Sequence, residues 1–135
     1  MRKYTEENLQ HECYIYAVNN YGLKHHNPRI IFASIPNEVA MMIRGIMIAC
    51  GVPKRTVDTI ISLVLKRMKN MGFHAGFSDC VIITRGKVVF CEFKLPGNYQ
   101  QNNQKEFEKR VTELGHEYVV IKSLEEFKKY LEVTI

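Results

Sequence analysis

The sequence predicts an α/β chain whose small mixed β-sheet has a central hairpin and is flanked by helices. Three observations predict it. Within Gly76–Lys94, two apolar, β-branched runs meet at Arg85-Gly86, the pattern of a hairpin whose tight turn is supplied by glycine. Two further β-rich runs, Arg29–Ala33 and His116–Ile121, stand apart from it. Stretches with apolar residues at helical spacing separate these runs, giving the order helix, strand, helices, hairpin, helix, strand, helix.

The first helix is expected over Thr5–Asn20, with Thr5 as N-cap and Leu9, Cys13, Tyr16 and Ala17 as its inward stripe. Tyr21-Gly22 closes it. The polar segment Lys24–Pro28 is read as a solvent-facing loop, because its adjacent His25 and His26 lack a third metal ligand at suitable spacing. After the strand Arg29–Ala33, Ile35-Pro36-Asn37-Glu38 turns the chain into a helix over Val39–Cys50, which Gly51-Val52-Pro53 breaks. Another helix is expected over Pro53–Asn70, with Pro53 in the first turn and Val57, Ile60, Ile61, Val64, Leu65 and Met68 buried. Lys66, Arg67 and Lys69 at its end complement the helix dipole.

Met71–Gly76 is a glycine-rich loop leading to the hairpin. Past Lys94, Leu95-Pro96-Gly97-Asn98 is a turn. Gln100–Leu114 reads as a helix with Phe107, Val111 and Leu114 inward, ended by Gly115. His116–Ile121 is a strand beside the hairpin. Ser123-Leu124-Glu125-Glu126 is a capping box opening a last helix that buries Leu124, Phe127 and Leu131.

At 135 residues, the chain is expected to be one domain, 1–135, with enough length for a core of its own. No apolar run is long enough for a membrane span, and the first residues lead into no signal core, so a soluble, intracellular (cytoplasmic) protein is expected. The four cysteines form no Cys-x-x-Cys pair and are read as buried small apolar residues. Cys80 and Cys91 fall opposite each other in the hairpin, but a reducing compartment argues against a disulfide. The net charge of +5 suits a polyanionic partner without requiring one.

The chemistry concentrates in the hairpin. If Arg85-Gly86 is a two-residue loop, Thr84 faces Lys87, and counting back sets Asp79 directly opposite Glu92. Lys94, two residues after Glu92, shares that face. Like charges opposite each other in a sheet cost on the order of 0.2 to 1 kcal/mol, which a hard divalent cation between them would reverse. A lysine beside such an ion can position a water or stabilise charge on a phosphate, the requirements of phosphodiester cleavage. The plainer alternative makes Asp79 a strand start and Glu92 and Lys94 the solvated face of an amphipathic strand.

The surrounding sequence bears on that choice. Thr5–Gln10, Ile35–Glu38, Gly76-Phe77-Ser78-Asp79, Cys91-Glu92-Phe93-Lys94, Gly97, Gln104–Phe107, Gly115 and Tyr118–Ile121 occur in an order that resembles the virus-type replication-repair nuclease (VRR-NUC) domain of the PD-(D/E)xK nuclease superfamily. The resemblance spans nearly the whole chain, apart from helices around 39–70 that look longer than usual and are assigned, as an extra feature, to dimerisation or substrate selection. It implies a restriction-endonuclease-like fold. It implies that Asp79 and Glu92 bind Mg2+ or Mn2+, that Glu6 from the first helix completes the acidic cluster, and that Lys94 assists the attacking water. Gln104 matches the glutamine facing the active site, Gln10 is a weaker candidate of that kind, and Glu7 competes with Glu6. Ser78 stands where the superfamily usually has proline, and Gln101 where a serine is usual.

The function so implied is metal-dependent, structure-selective endonucleolytic hydrolysis of DNA, leaving a 5′-phosphate. The expected substrate is branched DNA such as a Holliday junction, cut by a homodimer and read by shape and phosphate contact. A less selective DNA nuclease of phage replication, recombination or defence is the alternative within the same chemistry. A nucleic-acid-binding module that does not cut is the alternative outside it.

Overall fold

The computed structural model describes residues 2–135. Its elements are α1 (Glu6–Asn20), β1 (Ile31–Ser34), α2 (Val39–Ala49), α3 (Lys54–Asn70), β2 (Cys80–Thr84), β3 (Lys87–Phe93), α4 (Asn102–Glu113), β4 (Glu117–Ile121) and α5 (Leu124–Thr134). The four strands form one mixed sheet in the order β1-β2-β3-β4, antiparallel for the first two pairs and parallel for the last. The α/β class with a small mixed sheet and a central hairpin is the architecture observed. The turn at Arg85-Gly86 places Thr84 opposite Lys87 and Cys80 opposite Cys91, with Gly86 at φ +90° where an L side chain would be strained.

Alternation along the strands assigns the two faces of the sheet. Cys80 and Ile82 of β2 and Val89, Cys91 and Phe93 of β3 point to one face, where Leu9, Cys13 and Ala17 of α1 and Phe127 and Leu131 of α5 cover them. Phe90 points to the other face. There it joins Phe77, Phe107 of α4 and Tyr118 of β4 in an aromatic cluster, with Phe77 and Phe107 ring centroids 4.5 Å apart. Asp79 and Glu92, one residue beyond the Cys80–Cys91 pair and two beyond Val81–Phe90, lie at the end of this second face.

Thr5 caps α1 as expected, its side chain accepting from the Asn8 amide. Several expectations need correction. Strand β1 is shifted along the chain to Ile31–Ser34 from the expected Arg29–Ala33, because the amides of Arg29 and Ile30 bond the Tyr21 carbonyl at the end of α1. Pro53 is the N-cap of α3 rather than a first-turn residue. Of that helix's expected stripe only Val57 and Ile61 are buried, and Ile60 is exposed, since α2 is the one element that packs extensively on it.

Leu114 is the C-cap of α4 and is 76% exposed, the helix ending at Glu113, one residue before it. Cys50 is exposed at the end of α2, whereas Cys13, Cys80 and Cys91 are buried free thiols. At α5, Ser123 accepts from the Glu126 amide, but the Glu126 carboxylate takes the amide of Lys122 instead of closing the reciprocal half of the box. Among the described residues, no helix is long and apolar enough to cross a membrane.

Candidate active site

Asp79 is the last residue before β2, and its carbonyl accepts from the Ile35 amide, continuing the β1-β2 ladder. Its side chain turns to the neighbouring strand, where Oδ2 accepts from the Phe93 amide at 2.7 Å. Glu92 lies opposite, inside the parallel β3-β4 pairing, and is 1% exposed. Lys94 leaves the end of β3 with its amide on the Ile121 carbonyl, and its Nζ sits 3.2 Å from Glu92 Oε1. The hairpin register thus brings Asp79, Glu92 and Lys94 to one end of one face.

The other predicted residues arrive from the flanking helices. Gln104, in the first turn of α4, donates from Nε2 to Glu92 Oε1 at 2.7 Å, while its Oε1 accepts from the Gln101 amide. One side chain therefore fixes both the helix start and the carboxylate. Glu6 begins α1 and spans to the loop after β3, its Oε1 accepting from Asn98 Nδ2 at 2.7 Å and from the Leu95 amide at 3.3 Å. Glu7 is exposed. Gln10 donates to Ser34 Oγ at 3.2 Å, a contact with β1 and not with the carboxylates. Among the described residues no three acidic, histidine or cysteine side chains are grouped closely enough to hold a metal ion between them.

The electrostatics follow from burial. Burial pushes the Glu92 carboxyl up to about 7, with the Asp79 charge acting in the same direction and Lys94 opposing. Asp79 is raised for the same leading reason, partly offset by the Phe93 amide and Lys94, while Glu38 and Glu6 push it further up. Burial, with the Glu92 charge behind it, also raises the phenol of Tyr118. Glu92 Oε1 is taken by Lys94 and Gln104, but Glu92 Oε2 is buried with no hydrogen-bond partner. A buried carboxylate oxygen without a donor costs of order 1–3 kcal/mol or more, and a cation is the group that would satisfy it.

Two residues without an assigned role hold the approach to Asp79. Asn37, after β1, donates both Nδ2 protons, to the carbonyls of Phe77 at 2.7 Å and Ser78 at 2.9 Å. Read along the chain, Asn37 is a turn residue behind a proline, and only the pairing of β1 with β2 reveals its partner. Ser78 is fully buried and donates from Oγ to the Cys80 carbonyl at 3.0 Å, a tether in place of the stiffness of a proline. Asn37→Ala is expected to lower stability by about 2 kcal/mol, two part-buried hydrogen bonds being lost, as read by urea unfolding.

Neither a protein-family model nor a curated protein matches this chain. Among solved structures, it is similar to a protein described as a VRR_NUC domain protein, at 17% sequence identity and a TM-score of 0.63 over 100% of this chain and 91% of that one. In fold, the chain is a counterpart of that VRR_NUC domain protein.

Proposed function

We propose that this end of the sheet is a nuclease centre that hydrolyses phosphodiester bonds in DNA with a divalent cation, Mg2+ or Mn2+, held by Asp79 and Glu92. The observation that carries the reading is Glu92, a buried carboxylate opposite a second carboxylate, with one oxygen fixed by Lys94 and Gln104 and the other without a partner. Hard oxygen donors in a two-carboxylate set fit such a cation, which takes its remaining ligands from water and substrate phosphate. When bound, it supplies a water of lowered pKa and neutralises charge on the scissile phosphate.

The chain's own residues do the rest. Gln104 and the Phe93 amide fix the two carboxylates before substrate arrives, so no reorganisation is needed at the moment of reaction. Lys94, 12% exposed and against Glu92, is placed to hold the attacking water and to receive the charge developing on phosphate. Glu6, anchored by Asn98, adds negative potential at the rim and can hold a hydrated cation through water. The net charge of +5 favours approach to a polyanion. Preference for branched DNA, as the family resemblance implies, belongs to the same proposal and rests on analogy of fold.

The test is cleavage of a labelled four-way junction beside a linear duplex of equal length, with Mg2+, Mn2+ or EDTA, for wild type and Asp79→Ala. Metal-dependent cutting of the junction alone, lost by at least about 10³-fold in the variant, is the expected result. Equal cutting of both substrates keeps the site and removes the selectivity. Binding without cutting in any metal assigns the chain to the nucleic-acid-binding modules.

A further inference from the structure

We infer that α2 and α3 form a docking surface for an anionic lipid bilayer, with the outward face of α2 against the lipid. The α2 helix reads VAMMIRGIMIA, with Arg44 as its one charge, and Arg44 turns to α3, its Nη2 lying 3.2 Å from Asp58 Oδ1. On the other side of the helix Met41, Met42, Ile46 and Ile48 are exposed, Met42 at 58% and Ile46 at 62%, and Gly45 and Ala49 between them add no polar group. A helix apolar all round is one that is covered on all sides. Among the described residues, α3 alone packs extensively on it. At 11 residues α2 is too short to span a bilayer, which takes about 20, so its face suits a helix lying in the interface.

Charge selects an anionic surface. The two helices carry six of the chain's 19 lysines and arginines and one of its 14 aspartates and glutamates, so the whole net charge of +5 resides in them and the rest of the chain is neutral. With Arg44 paired to Asp58, the surplus is Lys54, Arg55, Lys66, Arg67 and Lys69, all exposed and in no ion pair among the described residues. At helical spacing, Arg67 shares one flank of α3 with Ile60 and Leu63, while Arg55, Lys66 and Lys69 share the other with Asp58. Cations therefore stand on both flanks, one helix layer behind the apolar face. Packed helices lie about 8–10 Å apart, and an interfacial helix buries its apolar face about 5–10 Å into the boundary of headgroups and acyl chains. With α2 at that depth, α3 lies among the headgroups, where its cations meet lipid phosphate. A nucleic acid would take the cations and leave the apolar face in water. A second copy would cover that face but set one +5 surface against another.

The experiment is flotation of the full chain, in EDTA and without DNA, with vesicles of phosphatidylcholine alone and of equal parts phosphatidylcholine and phosphatidylglycerol. Wild type is expected to float with the anionic vesicles and at least about 10-fold less with the neutral ones. Met42→Gln combined with Ile46→Gln removes the apolar contact, and Lys66→Glu combined with Lys69→Glu removes the charge. All four sites are exposed, and far-UV circular dichroism checks that each variant has folded. Each pair should lower partition into the anionic vesicles at least about 10-fold. A wild type that does not float, or flotation that the folded Met42→Gln, Ile46→Gln variant keeps, overturns the inference. A wild type that stays out of both vesicles and sediments at twice its 15.7 kDa assigns the face to a second copy instead. Lipid binding is read without cleavage, so its failure leaves the nuclease reading untouched.

Discussion

Glu92→Gln is expected to abolish DNA cleavage and, in the metal-free protein above pH 7, to make the fold more stable. The first effect comes from removing one of the two charges proposed to hold the cation, a loss of at least about 10³-fold. The second comes from the cost of that charge in the absence of a cation. The carboxyl stands at about 7 in the folded chain against an ordinary 4.5, chiefly through burial. A raised carboxyl favours the folded state in its protonated form. Its stabilising contribution is present in full below pH 4.5 and is lost as pH rises through 7.

Above pH 7, ionised Glu92 therefore destabilises the metal-free fold by on the order of 3 kcal/mol. Glutamine keeps the shape without the charge but leaves the part-buried Lys94 ammonium without its counter-charge, so the net gain is about 1–2 kcal/mol. Urea unfolding in EDTA at pH 5 and pH 8 checks it. The advantage of the variant should appear at pH 8 and vanish at pH 5. A variant weaker than wild type at pH 8 would mean that the Lys94 pair outweighs the cost of burying the carboxylate.

Gly76→Ala should be the most damaging single methyl in the chain. Gly76 adopts φ +82°, and a Cβ there would lie 2.5 Å from both the carbonyl carbon and the oxygen of Asn103. The obstacle is the backbone of the first turn of α4, which cannot swing aside as a side chain can. Left-handed strain alone costs about 1–2 kcal/mol. Relieving the clash adds to it, so a total of about 3 kcal/mol or more is expected. Gly86→Ala is the control, because Gly86 has φ +90° and an added Cβ meets nothing within 4 Å.

The gap between the two variants in urea midpoint measures the clash. Asn103 precedes Gln104, the residue that holds Glu92, so Gly76→Ala should also lower cleavage below what its loss of folded protein explains. Gly86→Ala should not. Equal effects of the two substitutions would refute the close approach of loop and helix.

The hairpin was legible because one glycine sets its arithmetic. A two-residue turn at Arg85-Gly86 leaves no freedom in the pairing, and Asp79 and Glu92 follow by counting. Gln104 was legible only by resemblance, since nothing local distinguishes a glutamine in a helix's first turn from its exposed neighbours. Asn37 went unread for a different reason: its partners are Phe77 and Ser78, some forty positions on, and the contact exists only once β1 has paired with β2.

The buried stripe of α3 was overdrawn because helical spacing marks which residues can face a partner, not how much partner there is. Ile60 fits the pattern and meets solvent. Leu114 erred at the boundary, where one residue decides whether a side chain belongs to the helix or to its end.

The isolation of α2 and α3 also bears on how the chain opens. Their shared interior is small, Ala40, Val57 and Ile61 being its buried residues, and it is separate from the sheet's core. Amide protons in the middle of these helices are expected to exchange through partial opening of this pair alone, well before those of β2 and β3. The root of the pair is Asn37-Glu38, and Asn37 grips the segment leading to Asp79. An opening that reaches Asn37 is therefore expected to release the carbonyls of Phe77 and Ser78, just ahead of Asp79.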